Sequence, residues 1–191
     1  LTGGCVMGAC IAADVTVTFE YAKTGHYLAD GLERCGALDV RPLDTGLAPA
    51  EPVQLIEPRD AIAALPVRRR SIHKGSCGHL LIVAGSPGMA GAAHYAARMA
   101  LRMGTGLVTL ACPRSIMPTL QALVPGAMAI PLPEENDAIG KGALPALEEA
   151  LRGKTAVAIG PGLSRRAAPE IVEAVLKCGL SAVIDADALN L

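Results

Sequence analysis

The amino-acid sequence predicts an α/β protein, a parallel sheet with helices on its faces, preceded by part of another α/β domain. Three observations predict it. From His79 onward, short aliphatic runs alternate with helical stripes through short loops, the pattern of strands joined by crossover helices. Hydrophobic residues make up 51% of the chain but aromatics only 2%, so the core is Ala, Val, Leu and Ile, which suits Ala-rich helices on aliphatic strands. Glycines and acids gather in the loops that follow those runs.

In chain order, Val15, Val17 and Phe19 alternate with Thr16 and Thr18, the period of a strand. Tyr27 to Arg34 reads as a short helix stopped by Gly36, and Leu38 to Val40 as a second strand. Three elements cannot bury two sheet faces, so residues 1–46 read as a fragment of a larger domain. Residues 47–66 read as a linker punctuated by Pro49, Pro52, Pro58 and Pro66, with one helical turn over Asp60 to Leu65. The regular domain occupies 67–191. Leu80 to Ala84 is a buried strand, Gly85 to Gly91 a glycine-rich loop, and Ala90 to Met103 a helix stopped by Gly104. On that helix, His94, Arg98 and Arg102 predict one narrow stripe in water. Leu107 to Ala111 is the next strand, with a helix starting near Ser115. Residues 124–142 show no clear period. Leu144, Leu147 and Leu151 form a helical stripe ended by Gly153, and Ala156 to Ile159 a strand. Pro169 starts a helix with Ile171, Val172, Val175 and Leu176 on one face and a Glu173–Lys177 pair. Gly179 stops it, and Ala182 to Ile184 is the last strand.

Seventeen basic and 18 acidic residues nearly cancel, which argues against nucleic-acid or polyanion binding. Arg68, Arg69 and Arg70 read as a solvated run rather than a phosphate contact. The six cysteines, at 5, 10, 35, 77, 112 and 178, form no CxxC and no zinc-ligand spacing. They read as reduced apolar residues of a cytoplasmic protein. No apolar run reaches membrane-spanning length, so no membrane partner is expected. Leu1 and the loop Asp185 to Leu191 make both ends read as cut, so a targeting segment could be missing rather than absent.

Ligands of open parallel sheets bind beyond the carboxyl ends of the strands. Three loops lie there: Gly85-Ser86-Pro87-Gly88-Met89-Ala90-Gly91, Gly160-Pro161-Gly162-Leu163-Ser164 and Asp185-Ala186-Asp187-Ala188-Leu189-Asn190. The first opens a helix, whose free amides and dipole attract anions, and the small Gly91, Ala92 and Ala93 let a ligand approach the backbone. Its GxxGxxG spacing is neither a dinucleotide fingerprint nor a Walker A motif, and tight-turn packing explains it equally well. Gly160-Pro161-Gly162 is open to the same two readings. Asp185 and Asp187 could bond a ribose hydroxyl, hold a metal through water, or cap the next helix. Lys74 could contact phosphate or be a solvated loop lysine. No catalytic triad or activated cysteine follows from the spacings.

Taken in order, His73-Lys74-Gly75, Gly78, Leu81-Ile82-Val83-Ala84-Gly85-Ser86, Gly88-Met89-Ala90-Gly91-Ala92-Ala93, Gly104-Thr105-Gly106-Leu107-Val108, Gly160-Pro161-Gly162-Leu163 and Asp185 to Leu191 resemble the NAD(P)H-hydrate dehydratase domain over residues 68–191. Ala13-Asp14, Thr16-Val17-Thr18-Phe19, Lys23 and Gly25 resemble the end of the Rossmann-like epimerase domain fused upstream in bifunctional members, with Thr2-Gly3 just after its substrate and potassium loop. The resemblance implies a ribokinase-like three-layer α/β/α fold and dehydration of hydrated NADH or NADPH with ATP or ADP and magnesium. It also implies K+ for the epimerase part and assembly as a homo-oligomer. The reaction that the resemblance implies has the ring hydroxyl phosphorylated and phosphate then lost. By motif, Ala92 and Gly162 would line the hydrate site, Gly91 and Gly160 would shape it, Asp185, Asp187 and Asn190 would lie near the reacting end, and Lys74 would be a phosphate contact; no protein metal ligand is assigned. Two positions depart from the family pattern: Ser164 stands where glycine is usual, and Pro125-Gly126 where Pro-Glu is usual. The family's GSGD segment, with its anion-binding glycines and proposed catalytic base, is expected beyond Leu191, so the 191 residues alone are not expected to complete the site. A ribokinase-like kinase of a vitamin-precursor alcohol and a non-catalytic dinucleotide-binding module are the competing readings.

Overall fold

The computed structural model describes residues 3–46, 53–68 and 70–191. Leu1, Thr2, Pro49, Pro52 and Arg69 lie outside the described residues. The chain forms two compact units that divide between Val67 and Arg68.

In the first unit, strand β1 (Val15–Phe19) pairs in parallel with β2 (Ala37–Arg41), Val15 opposite Ala37 and Phe19 opposite Arg41. The expected alternation is present. Thr18 is buried, and Thr16 Oγ1 donates to the carbonyl of Cys35 at 2.6 Å. Val15, Val17 and Phe19 point away, 58%, 53% and 52% exposed. Helix α1 spans only Gly31–Arg34, shorter than the pattern predicts, because Ala29 takes a left-handed conformation that ends any run from Tyr27. Lys23 folds back on β1, its ammonium donating to Thr18 Oγ1 at 3.1 Å and to the carbonyls of Phe19 and Tyr21 at 2.7 Å each. Helix α2 (Pro58–Ala64) carries Pro58 in its first turn, where a missing N–H costs nothing.

The second unit is a five-stranded parallel sheet of β3 (His79–Val83), β4 (Leu107–Pro113), β5 (Met128–Leu132), β8 (Ala156–Ile159) and β9 (Ser181–Ile184), in the spatial order β5-β4-β3-β8-β9. Between β5 and β8 lies a two-stranded ribbon of β6 (Glu134–Glu135) and β7 (Ala138–Ile139). Helices α3 (Ala90–Arg102) and α4 (Met117–Leu123) follow β3 and β4; α5 (Leu144–Leu151) precedes β8, and α6 (Pro169–Lys177) joins β8 to β9.

Two apolar layers sandwich the sheet. Leu81, Val83, Val157 and Ile159 pack with Leu147, Leu151, Ile171 and Val175 of α5 and α6. Ile82, Ala84, Val108 and Leu110 pack with Ala93, Ala97 and Leu120 of α3 and α4. Successive residues of β3 therefore enter opposite layers, and Leu81, Ile82 and Val83 are all buried, as an aliphatic run with no polar alternation requires. The edge strand β9 differs, with Val183 65% exposed.

Helix α3 corrects one expectation. Ala93 and Ala97 mark its line of contact with the sheet, and at about 100° per residue the opposite side carries Tyr95, Arg98, Met99 and Arg102. Tyr95 and Met99 share the wet stripe, whereas His94 falls on the flank, half-buried, with Nδ1 buried and unpartnered. Arg68 is also more than a solvated residue: its guanidinium donates to the carbonyls of Met103 and Gly104 at 3.3 and 2.6 Å, satisfying groups left open at the end of α3. Gly104 itself sits at φ +89° and ends the helix as expected.

Candidate functional site

The strand order locates the site. The chain moves outward from β3 through β4 to β5, then returns across the sheet to β8 and continues to β9. The direction reverses between β3 and β8. Their following segments diverge to opposite faces, α3 with one apolar layer and α6 with the other, which opens a crevice at the carboxyl ends of these two strands. The loops 85–91 and 160–164 flank that crevice, and the loop after β9 adjoins the second.

The three loops are tied together. Gly85 N–H donates to the carbonyl of Pro161 at 2.9 Å, and the fully buried Ser86 donates through Oγ to the carbonyl of Gly162 at 3.0 Å. From the other side, Ser164 N–H donates to Asp187 Oδ2 at 2.9 Å. The glycines divide by surroundings. A Cβ on Gly160 would strike the carbonyl oxygen of Asp185, and one on Gly162 would meet the carbonyl oxygen of Met89 at 2.7 Å and Ala92 Cβ at 3.0 Å. Loop packing thus accounts for glycine at 160 and 162. At Gly88 and Gly91 a Cβ would meet nothing within 4 Å. The amides of Ala90 and Gly91, first in α3, have no acceptor among the described residues.

Of the residues singled out from sequence, Gly91 and Ala92 open α3, Gly160 and Gly162 lie on the middle loop against Asp185 and Ala92, and Asp185, Asp187 and Asn190 lie on the loop after β9. Asp185, exposed, precedes the 3-10 turn Ala186–Asn190 without a side-chain cap bond, and its carboxylate has no partner among the described residues. Asn190 Nδ2 donates to the carbonyl of Ala186 at 3.0 Å. Lys74 is not brought together with them. It precedes β3, where a Cβ on Gly106 would strike its carbonyl, so the length of β3, roughly 16 Å at about 3.3 Å per residue, separates it from the crevice. Pro125 and Gly126 form an exposed turn ahead of β5.

Sequence reasoning did not pick out Ser86, whose role as a tie depends on strand order. It also missed Glu134, which accepts from Ser115 N at 2.6 Å and Ser115 Oγ at 2.7 Å. Cys112, at the carboxyl end of β4, is fully buried, and burial first, and then the charge of Glu134, push its thiol up to about 11. Among the described residues no three His, Cys, Asp or Glu side chains gather as a metal-ligand set, and no helix is long and apolar enough to cross a membrane.

A model of the NAD(P)H-hydrate dehydratase family matches residues 80–191, more than half of the chain. Two curated relatives are bifunctional NAD(P)H-hydrate repair enzymes. That of Moorella thermoacetica is 40% identical over 199 residues, covering 99% of this chain and 37% of that protein. That of Coxiella burnetii is 36% identical over 195 residues, covering 98% and 38%. The chain thus spans less than two fifths of their length. Among solved structures, the ADP/ATP-dependent NAD(P)H-hydrate dehydratase from Bacillus subtilis, co-crystallized with ATP/Mg2+, superposes with a TM-score of 0.54 at 28% identity over 69% of this chain and 45% of that one. A ribokinase-like superfamily protein from Enterococcus faecalis, TM-score 0.57 at 22% identity over 66% and 43%, shares the fold.

Proposed function

Because the chain belongs to the NAD(P)H-hydrate dehydratase family, we propose that its second unit contributes the crevice in which hydrated NADH or NADPH is dehydrated at the expense of ATP or ADP. The observation that carries this reading is the convergence of three loops, the outer two each hydrogen-bonded to the middle one, at the switch point between β3 and β8. In this reading Ala92 and Gly162 line the hydrate, Gly91 and Gly160 shape the cleft, and Asp185 and Asn190 border the reacting end, with Asp187 on the same loop turned to Ser164 N–H. The open space at Gly88 and Gly91 and the free amides of Ala90 and Gly91 suit a phosphorylated ligand lying against the start of α3.

The hydroxyl of the hydrated ring gives its proton to solvent as its oxygen takes the terminal phosphoryl group and the donor's phosphoanhydride bond breaks, releasing ADP from ATP or AMP from ADP. Phosphate then leaves with that oxygen, and a proton lost from the neighbouring ring carbon restores the double bond. Magnesium, when bound, would offset phosphate charge, and would be held largely by substrate phosphates and water with a carboxylate or two from the protein. Asp185, exposed and unpartnered, fits that need. The six free cysteines support a reducing, cytoplasmic setting.

The test is incubation of the full-length protein with NADH hydrate, magnesium and ATP or ADP. Recovery of reduced-nicotinamide absorbance with equal release of inorganic phosphate is expected. A phosphorylated alcohol that persists without absorbance recovery would make the protein a kinase; dinucleotide binding with neither product would reduce it to a binding module.

A further inference from the structure

The 160–164 turn is the middle of the three loops, and its two sides are held differently. Toward β3 the ties are the Gly85 amide, the Ser86 hydroxyl and the bond from Gly160 N–H to the carbonyl of Val83 at 3.1 Å. Toward β9 the tie is one carboxylate, that of Asp187, reaching Ser164 N–H at 2.9 Å. Ser164 is the strained point of the turn. It is buried, and its φ of +74° lies in the left-handed region that glycine tolerates and other residues resist. Its Oγ accepts the amide of Arg166 at 3.2 Å and its carbonyl that of Ala167 at 3.1 Å, both from the residues just after the turn. Its partner from another loop is Asp187. A bond from a part-buried amide to an ionised carboxylate is of the strong, charge-assisted kind, suited to holding such a conformation.

Asp187 is not used to cap its own turn. Asp185 stands at the N-cap of Ala186–Asn190, with no side-chain cap bond. The carboxylate of Asp187 instead reaches 23 residues back along the chain. Two residues before Ser164, Gly162 lies against Met89 and Ala92, the wall of the cleft at the start of α3.

We propose that Asp187 is a positioning residue: acting through Ser164 N–H, its carboxylate fixes the left-handed turn that seats Gly162 against Met89 and Ala92 and so sets the width of the cleft. This rests on the reading of that cleft as the hydrate site. Its chemical content is that Asp187 serves as a hydrogen-bond acceptor that holds a serine in a conformation glycine would adopt more readily.

The test compares Asp187→Ala, Asp187→Asn and the double variant Asp187→Ala/Ser164→Gly in the full-length protein. Amide hydrogen exchange of the segment 160–166 is measured together with KM and kcat for NADH hydrate. Loss of the acceptor in Asp187→Ala is expected to speed exchange of the Ser164 amide about tenfold and to raise KM about tenfold, with kcat changed less than about threefold. Asp187→Asn keeps an acceptor oxygen and is expected to stay within about threefold of the natural protein in both readouts. Glycine at 164 adopts the turn unaided, so the double variant is expected to recover most of the KM lost in Asp187→Ala. If Asp187→Asn is as impaired as Asp187→Ala, or if glycine restores nothing, the carboxylate contacts substrate or metal directly and the proposal is overturned. Unchanged exchange in Asp187→Ala overturns it as well. Exchange needs no turnover, so a protein inactive on hydrate but showing the expected exchange pattern would sink the functional reading and leave the clamp standing.

Discussion

The two units place similar apolar strand residues in opposite surroundings. In the second, every residue of β3 from Leu81 to Val83 is buried, because neighbouring strands and helices on both faces receive alternate side chains. In the first, β1 carries an equally clear alternation, yet Val15, Val17 and Phe19 are more than half exposed and Thr18 is the buried residue. Period-2 patterning reports that the two faces of a strand differ. Which face is covered depends on what packs there, and a pair of parallel strands with short helical turns supplies one cover at most.

The largest effect that would separate the units comes from the centre of the second. Leu81→Ala removes a side chain enclosed by both neighbouring strands and by α5 and α6, and should cost about 3 kcal/mol of unfolding free energy. Denaturant unfolding followed by circular dichroism measures it. A loss below about 1 kcal/mol would mean that this layer is looser than its burial indicates.

Next in size are the crevice glycines, where space is taken on one side and free on the other. Gly162→Ala forces a Cβ onto the carbonyl oxygen of Met89 at φ +63°, and should cost on the order of 2 kcal/mol. Gly91→Ala meets open space inside a helix and should instead gain roughly 0.5–1 kcal/mol. The same change should weaken hydrate binding in a titration, since a methyl group would stand where the ligand approaches α3. Unchanged binding in Gly91→Ala would move the ligand away from this wall.

A smaller effect is pH-dependent. His79 begins β3, with Nε2 2.8 Å from Thr109 Oγ1; burial, and then the charge of Lys154, lower its pKa below the ordinary 6.5. The unfolded chain then binds the proton more readily than the folded one. Stability is present in full above about pH 6.5 and is lost as pH falls through the lower folded value. His26 in the first unit is lowered in the same direction, by burial and by Lys23. His79→Gln should flatten the pH 7.5 to pH 5 change in the unfolding midpoint of the second unit and leave that of the first. An unaltered slope in the variant would show that other groups carry the dependence.

The regular part of the second unit was legible because aliphatic runs, helical stripes and stop glycines agree locally, as at Ala156–Ile159 and Gly104. The three site loops were legible as loops, whereas their order around β3 and β8 was not, because adjacency in a parallel sheet is set by crossovers rather than by any local residue. Residues 124–142 were opaque for other reasons. Strand β5 contains Pro131, and β6 and β7 have only two residues each. The turn between them is Asn136-Asp137, both with positive φ, a two-residue hairpin signal that was present but short. The stripe of α3 was misplaced because Ala-rich sides look alike until Ala93 and Ala97 are seen against the sheet. Ser164 was visible as a departure from the family, but its strained φ and its bond to Asp187 belong to the folded loops alone.

The smallest predicted effect returns to β1. Val17→Thr in the 191-residue chain exchanges one β-branched residue for another on the exposed face, so the strand propensity is kept and little burial is lost. The expected change is within about 0.5 kcal/mol, read from amide exchange of residues 15–19 against residues 79–83. The corresponding Thr18→Val change acts on the buried face, where a hydroxyl accepts from Lys23 Nζ, and its cost should exceed that of Val17→Thr. A loss above about 2 kcal/mol for Val17→Thr would place a cover on the valine face in solution, and the contrast between the two units would then be one of degree.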